Sequence, residues 1–297
     1  MNKITALATF ALASLLSSVV LSAQPEMAEP KPTGQTATPL TLPGAETFIY
    51  HEVKPEPMRL HVFKPRGWSA ADSRPALVHF FGGGWQRGLP TQSASIAARA
   101  AKLGLVGVAV DYRVRDRHGT DGTASISDAR AAVRWLQDHA AELGLDPKRI
   151  VVSGSSAGGH LALWTAITKS PPGSDPAEAP REKPVALILL WPAADFSFFK
   201  GAKDRFGGHG LACSATQNLD PVMPPSLLLH GDQDPTVPFE SSVVLHRTLT
   251  QSGNACEFIP MPGCGHGTTL PEWKQKQSAL VEKFLREQRL VPDSSVK

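Results

Sequence analysis

The sequence predicts an α/β fold with a mostly parallel central sheet that carries helices on both faces. Continuous apolar runs, which suit strands buried on both faces, alternate along the chain with amphipathic stretches of helical spacing. This alternation is typical of parallel strands joined by crossover helices. The chain has 297 residues, of which 41% are hydrophobic, so it can form one large core and is not wholly disordered.

The predicted strands are short runs bounded by turn residues. The first two, at 47–53 and 58–64, are expected to pair at an edge of the sheet, because a Pro-Glu-Pro turn separates them. Further strands follow at 76–81, 105–110, 149–153, 185–190, 226–230 and 256–261.

The predicted helices lie between these strands. Ser125 and Asp128 have capping-box spacing, apolar residues follow at helical intervals, and Gly144 suits a helix end. Later helices are predicted at 158–168, 240–252 and 271–288.

Charge and cysteine content exclude several classes of protein. There are 30 basic and 27 acidic residues, and the net charge of +3 does not indicate a nucleic-acid or anionic-membrane partner. Three cysteines exclude a disulfide scaffold and allow at most one intramolecular bridge. No cluster has the spacing of metal ligands, so we expect no metal or other cofactor.

Residues 1–23 have the pattern of a signal peptide. Lys3 precedes an apolar stretch from Ile4 to Leu21, and small residues follow at Ser22 and Ala23. The alternative is an uncleaved membrane anchor, because the stretch approaches spanning length. Serines dilute the stretch, which favours cleavage. We therefore expect a secreted or periplasmic protein with no stable membrane insertion after signal cleavage.

Residues 24–44 are predicted to be a disordered linker. The segment contains five prolines and no apolar periodicity, so it cannot bury enough surface to offset the entropy of ordering. A single α/β domain is expected over 45–297.

Residues 154–158 form a G-x-S-x-G pentapeptide between a predicted strand and a predicted helix. Gly154 and Gly158 suit a turn too sharp for side chains, and this turn projects Ser156 at a helix N-terminus, where developing negative charge is favoured. The alternative is a Gly/Ser-rich turn that only begins a helix. The strand–turn–helix context favours Ser156 as a nucleophile.

Three glycines follow the predicted strand at 76–81. Without Cβ atoms, the backbone N–H groups of Gly83 and Gly84 can approach a substrate oxygen and, with that of Ala157, form an oxyanion hole. A flexible turn or a phosphate loop is the alternative, but neither phosphate-loop motif occurs here.

A nucleophilic serine needs a base and an orienting carboxylate, in the chain order Ser, Asp, His. Asp234 lies in the loop after the strand at 226–230, and we prefer it to Asp232, which suits a turn-forming brace. His266 lies in a glycine-rich loop after the last strand and is the predicted base. His230 is predicted to be a packed, hydrogen-bonded structural histidine.

Together these motifs resemble the α/β-hydrolase esterases. The sequence is similar to the hormone-sensitive-lipase-like carboxylesterases and closer to the small secreted acetyl xylan and feruloyl esterases, over about residues 50–288. The residues that carry the resemblance are Gly82-Gly83-Gly84-Trp85, Asp111-Tyr112-Arg113, Gly154-Ser155-Ser156-Ala157-Gly158-Gly159-His160, His230-Gly231 with Asp234, and Gly265-His266-Gly267.

The resemblance implies an α/β-hydrolase fold and a serine esterase mechanism. It implies Ser156 as nucleophile with Asp234 and His266 as its partners, and oxyanion donors at the positions named above. One departure is Phe81, which stands where the family usually has a histidine that braces the oxyanion loop. His79 shares a strand face with Phe81, and it either braces the loop from one pleat below or is a core histidine.

The insertion at 195–225 is too short for a lipase-type lid domain, which predicts an open site. Such a site suits short, acetyl-type acyl groups on a small-molecule or polysaccharide alcohol. Four phenylalanines in the insertion either line the site or, as the default, pack the insertion; they are Phe196, Phe198, Phe199 and Phe206.

Other functions share this fold. A lactonase or dienelactone-type hydrolase would use the same three residues, and a non-catalytic carbohydrate-binding protein would lack one of them. A prolyl-type peptidase would need a large extra domain, for which the chain has no room.

The cysteines leave one question open. An exported protein can bridge one pair, and a bridge at Cys264 would fix the loop of His266. Cys256, in a strand, suits a small buried residue, and Cys213 is unassigned.

Overall fold

The computed structural model describes residues 38–199 and 201–291. They contain an eight-stranded sheet with the order β1-β2-β4-β3-β5-β6-β7-β8. β1–β2 and β2–β4 are antiparallel pairs, and every other pair is parallel, as the α/β prediction requires. The strands are β1 Glu46–His51, β2 Met58–Phe63, β3 Arg74–Phe80, β4 Val106–Val110, β5 Leu145–Ser155, β6 Ala186–Leu190, β7 Ser226–Gly231 and β8 Cys256–Met261.

The helices pack on the two faces of the sheet. Apolar side chains on both sides of the sheet form the main buried clusters. The α-helices are α1 Ala94–Lys102, α2 Arg115–His118, α3 Gly122–Asp138, α4 Ala157–Ala166, α5 Ala202–Arg205, α6 Phe239–Gln251 and α7 Pro271–Glu287.

The strand prediction is confirmed in order and type, with one correction. β1 lies at the edge of the sheet, whereas β2 pairs on its other side with β4 and is not an edge strand. The burial of the β2 side chains fits this interior position, since nearly all of them are buried.

The predicted capping box of α3 is wrong. The helix begins at Gly122, and the Asp121 side chain accepts a hydrogen bond from Thr123 N at its N-terminus. Asp128 is instead fully buried, and its carboxylate accepts hydrogen bonds from Arg113 and His51. Burial raises the pKa of Asp128, but these bonds outweigh burial and hold the pKa below its usual range.

Helix α1 has no counterpart among the predicted elements. Its sequence is rich in alanine, so it lacks the large apolar residues that make helical periodicity visible. Small residues let it approach the sheet closely: a Cβ on Gly107 of β4 would lie 1.9 Å from Ala97 O.

The linker prediction needs a correction over its last residues. Leu42 is 3% exposed and belongs to a buried cluster with Phe63 and Ala109, while Thr38 is 5% exposed and donates to Glu56. Leu42 and Thr38 therefore anchor this end of the segment to the fold, although the residues between and after them are mostly exposed. The predicted signal peptide and the rest of the linker lie outside the described residues.

Candidate active site

The pentapeptide forms a sharp turn between β5 and α4. Ser156 has φ 56° and ψ −119°, a conformation that side-chain-bearing residues rarely adopt. A Cβ on Gly154 would lie 2.0 Å from Gly158 O, and one on Gly158 would lie 2.1 Å from Phe80 O. Only glycines fit at both flanks, so the turn holds Ser156 at the carboxyl end of β5 and the N-terminus of α4.

His266 meets Ser156 from the loop after β8. Its Nε2 lies 3.0 Å from Ser156 Oγ, and its Nδ1 lies 2.7 Å from Asp234 Oδ2. The structure thus brings together three side chains from three separate loops, as the predicted chain order requires. The His266 side chain is 27% exposed and that of Asp234 is 0% exposed, so the imidazole is open to the cleft while the carboxylate is behind it.

Asp234 is held by several donors. Oδ1 accepts from the backbone N–H groups of Thr236 and Val237, at 2.8 and 2.9 Å. Burial raises the pKa of this carboxyl, but hydrogen bonds from His230, His266 and the two amides outweigh burial and hold the pKa well below its usual range. The side chain therefore stays ionised at neutral pH and can orient the imidazole of His266.

His230 supports Asp234 directly. Its Nε2 lies 3.1 Å from Asp234 Oδ2 and 3.0 Å from Val237 O, and its Nδ1 lies 2.6 Å from Ser242 Oγ. A carboxylate and a carbonyl are both acceptors, so Nε2 carries a proton and Ser242 can donate to Nδ1. His230 is packed and hydrogen-bonded as predicted, but its contact with Asp234 was missed. The i, i+4 spacing across a turn gave no signal of it.

Asp232 lies outside this set. Its Oδ1 accepts from Gly263 N at 2.8 Å and so joins the loop after β7 to the loop that carries His266. This is the bracing contact expected of it.

The glycine loop lies beside the nucleophile. A Cβ on Gly82 would lie 3.2 Å from Ser156 Cβ, and Gly83 and Gly84 have φ of 144° and 64°. Both of these residues and Ala157 line the same cleft as Ser156. Among the described residues, none accepts a hydrogen bond from the N–H groups of these three residues. These N–H groups are therefore available for a substrate oxygen.

The loop is braced by Tyr112 rather than by a histidine. Tyr112 Oη donates to Phe81 O at 2.8 Å, and the two rings stack with centroids 4.1 Å apart. Phe81 thus fixes the loop through an aromatic stack and its own backbone. Sequence reasoning missed this contact, although Tyr112 lies in the Asp111-Tyr112-Arg113 motif that contributes to the family resemblance.

His79 contacts the nucleophile strand. Its Nδ1 lies 2.9 Å from Ser153 Oγ and its Nε2 lies 3.4 Å from Ser155 Oγ. Burial lowers the pKa of His79 to about 3. Of the two open interpretations, the structure favours a core histidine, one that ties β3 to the end of β5.

A cleft of about 990 Å³ opens above Ser156. The four phenylalanines of the insertion divide between two roles. Phe198 and Phe199 line the cleft, whereas Phe196 and Phe206 are buried and pack against Trp85. The default expectation of packing alone is therefore wrong for two of the four.

Trp191 forms part of another wall of the cleft. It has a positive φ of 39°, and its ring meets that of His266 edge to face with centroids 6.4 Å apart. Trp191 N donates to Leu229 O at 2.6 Å, which fixes this residue just beyond the end of β6.

The three cysteines are free thiols. Burial raises the pKa of Cys213 and of Cys256 to about 12, which keeps both unreactive at neutral pH. Cys264 is buried in the apolar cluster beside α7, so packing and not a bridge fixes the loop before His266. Over 38–199 and 201–291, no group of His, Cys, Asp and Glu could hold a metal ion, and no helix is long and apolar enough to cross a membrane.

Two family models match the chain. One described as BD-FAE matches residues 60–183, and one described as the prolyl oligopeptidase family matches residues 199–289. The first range includes Ser156 and the glycine loop, and the second includes Asp234 and His266.

Several known proteins are similar to this chain. Carboxylesterase NlhH of Mycobacterium tuberculosis is 41% identical over 121 residues, which are 40% of this chain and 35% of that protein. The chain spans 35% to 54% of the length of the first curated relatives that it matches.

A solved thermophilic esterase, Est2 of the planctomycete Thermogutta terrifontis, is 35% identical. The match covers 85% of this chain and 95% of that chain, with a TM-score of 0.77. The butyrate-bound form of that esterase is 34% identical over 85% of this chain and 97% of that chain, with a TM-score of 0.78.

Proposed function

Because the chain belongs to the α/β-hydrolase family of carboxylesterases, we propose that it is a serine esterase that works through an acyl-enzyme. One observation carries the proposal: an unbroken chain of hydrogen bonds runs from Ser156 Oγ through His266 to Asp234, at 3.0 and 2.7 Å. This arrangement activates a serine hydroxyl for attack on a carbonyl.

In the first half of the proposed reaction, His266 Nε2 takes the Ser156 proton as Oγ attacks the ester carbonyl. The tetrahedral intermediate collapses when the imidazolium returns that proton to the leaving alcohol. In the second half, a water molecule gives a proton to His266 and attacks the acyl-enzyme, which releases the acid and restores Ser156. Asp234 stays ionised throughout and stabilises the imidazolium.

The backbone N–H groups of Gly83, Gly84 and Ala157 are proposed to hold the oxyanion. Removing one such donor costs about 2.7–4 kcal/mol of transition-state stabilisation in enzymes of this kind. The stack of Phe81 on Tyr112 fixes the loop that presents two of these donors.

We propose that the acyl group is short and of the acetyl type. Phe198 and Phe199 line the cleft together with Ser156, and the insertion that contributes them is too short to add a lid domain. The related Thermogutta terrifontis esterase has been solved with butyrate, a short carboxylate, bound to it. The openness of the cleft to solvent supports a bulky alcohol, including an acetylated plant polysaccharide.

We also propose export from the cytoplasm to the periplasm or the medium, on the signal-peptide pattern of residues 1–23. The test is the intact mass of the protein recovered from the periplasm of a bacterial host. The expected mass is that of a chain whose first residue is Gln24. A full-length, membrane-associated product would contradict the proposed export.

An ester panel tests the proposed function. It includes nitrophenyl esters of increasing chain length, acetylated xylan, methyl ferulate and a dienelactone, with Ser156→Ala as the blank. The highest kcat/KM is expected on acetyl esters. A maximum at long acyl chains would overturn the chain-length proposal, and a preference for the dienelactone would favour the lactonase alternative.

A further inference from the structure

We propose that Arg205 binds an anionic group, a carboxylate, on the ester substrate, and so selects negatively charged esters. This inference rests on the proposed esterase function and deepens it, because it names a substrate class for the same cleft. It concerns binding only, and the bonds made and broken remain those of ester hydrolysis.

The charges that face the cleft are of one sign. Among the described residues that line it, Arg87 and Arg205 are cationic and none is an aspartate or a glutamate. Asp234, the nearby carboxylate, is buried behind His266 and is occupied by two histidines and two amides. Clefts lined by charges of one sign concentrate substrates of the opposite sign.

Arg205 lies against the oxyanion loop. A Cβ on Gly84 would be 3.1 Å from Arg205 Nη1 and 3.9 Å from its Cζ, so the missing side chain of Gly84 leaves the space that the guanidinium occupies. Gly84 is two residues from Gly82, whose added Cβ would lie 3.2 Å from Ser156 Cβ. Consecutive Cα atoms are about 3.8 Å apart, so the guanidinium lies within reach of a substrate group a few atoms from the scissile carbonyl.

The guanidinium has no partner of opposite charge among residues 38–199 and 201–291. It forms no hydrogen bond and no ion pair with them, and the side chain is only partly exposed. Burial and the neighbouring charge of Arg115 both lower the pKa of Arg205. An arginine held half-buried beside another cation, with its five donors unused, is prepared to bind a carboxylate in the bidentate manner.

Because Arg205 lies beside the oxyanion loop, the substrate carboxylate that it binds can lie on either side of the ester. It can belong to the acyl group, as in the monoester of a dicarboxylic acid, or to the alcohol, as in the ester of a hydroxy acid. The shared chemistry is a carboxylate close to the scissile ester.

Two matched substrate pairs distinguish these sources. On the acyl side, mono-4-nitrophenyl glutarate is compared with 4-nitrophenyl valerate, in which a methyl group replaces the carboxylate. On the alcohol side, 4-acetoxybenzoate is compared with its neutral methyl ester. For at least one pair, the wild-type ratio of kcat/KM, anionic over neutral, is expected to exceed one and to fall with added salt, because salt screens exposed charges.

Replacing Arg205 tests the assignment. Arg205→Gln is expected to lower that ratio about tenfold, as for the loss of a hydrogen bond to a charged group, and Arg205→Lys is expected to restore part of it. Arg66→Gln is the matched control, because Arg66 is an exposed arginine outside the cleft and should leave the ratio unchanged. Using a ratio cancels any general effect of the change on the oxyanion loop.

Binding without turnover separates this inference from the proposed function. Calorimetry on Ser156→Ala should show tighter binding of the anionic ester than of its neutral counterpart in at least one of the two pairs, and Arg205→Gln in that background should remove the difference. Equal binding within both pairs, or an anionic preference that survives in Arg205→Gln, would overturn the inference. Absence of any ester turnover would instead overturn the proposed function. The binding measurements would then decide the inference about Arg205.

Discussion

His230 and His266 both contact one oxygen of Asp234. His230 Nε2 lies 3.1 Å and His266 Nδ1 2.7 Å from Oδ2, while Oδ1 accepts two backbone N–H groups. Every lone-pair direction of the carboxylate is thereby used, so its position and its charge are both fixed. His230 acts on the proposed reaction through Asp234 and is a positioning residue.

His230→Leu should lower kcat by about tenfold or more, because the charged carboxylate of Asp234 loses one of its hydrogen bonds. KM for 4-nitrophenyl acetate should change little, since His230 is fully buried and does not line the cleft. His230→Gln, whose amide can replace the Nε2 donor, should recover most of kcat. An equal loss in both variants would contradict the positioning role.

Asp234→Asn should lower kcat by about 10⁴-fold, the effect known for a triad carboxylate whose replacement leaves the imidazole in the wrong tautomer. Asp232→Asn is the matched control, because Asp232 lies two residues away, Asn keeps the oxygen that accepts from Gly263 N, and His266 is hydrogen-bonded to Asp234 and Ser156 instead. It should retain most of the activity. Comparable losses in the two variants would show that loop distortion and not the orienting carboxylate is responsible.

The two tyrosines of the chain provide a matched pair for the brace of the oxyanion loop. Tyr112 Oη donates to Phe81 O at 2.8 Å, and Tyr50 Oη donates to Asp111 O at 2.7 Å, and both are buried. Each change to Phe should lower the free energy of unfolding by about 1–3 kcal/mol, because a buried carbonyl loses its partner.

Of the two changes, only Tyr112→Phe should also reduce kcat. Its partner Phe81 adjoins the glycine loop, whereas Asp111, the partner of Tyr50, does not. Urea denaturation and steady-state kinetics measure the two effects. A kcat for Tyr50→Phe as low as that for Tyr112→Phe would remove the special role of Tyr112.

His79 should make the protein less stable in acid. Burial lowers its pKa to about 3, below the value of about 6.5 for an exposed histidine, so between these pH values the unfolded chain binds more protons than the folded one. The free energy of unfolding therefore rises with pH in this window and falls as pH drops through it, by up to about 1.4 kcal/mol per pH unit for one such histidine.

Urea denaturation of wild type and of His79→Asn at pH 4.5, 5.5 and 7.5 measures this slope. The amide of the variant can still bond Ser153 Oγ but does not titrate, so its slope below pH 6.5 should be shallower. Parallel curves for the two proteins would contradict the assignment.

The fold and the candidate site differ in how far the sequence predicts them. Apolar strands and the G-x-S-x-G turn are local patterns, so the strand order along the chain and the position of Ser156 follow directly. Asp234 and His266 follow from chain order, because each comes after a predicted strand. The sequence did not predict helix α1, because its buried face consists of alanines and lacks the large apolar residues that reveal helical periodicity.

Two of the contacts that the sequence did not predict join distant parts of the chain. Tyr112 with Phe81 and Arg205 with Gly84 each depend on how loops from different elements meet at one edge of the sheet. The contact of His230 with Asp234 is local, but it depends on how the chain turns just after β7. The misplaced start of α3 has a similar cause: Asp128 has capping-box spacing, yet a distant histidine and an arginine bind it in the core.

Labelling with a fluorophosphonate tests the central claim, that Ser156 is an activated nucleophile. We expect one label per chain, located by peptide mass at Ser156. Labelling should be lost in Ser156→Ala and retained in Ser155→Ala, which changes the adjacent serine of the same turn. Stoichiometric labelling of Ser156→Ala at the wild-type rate, or a label on another residue, would contradict it.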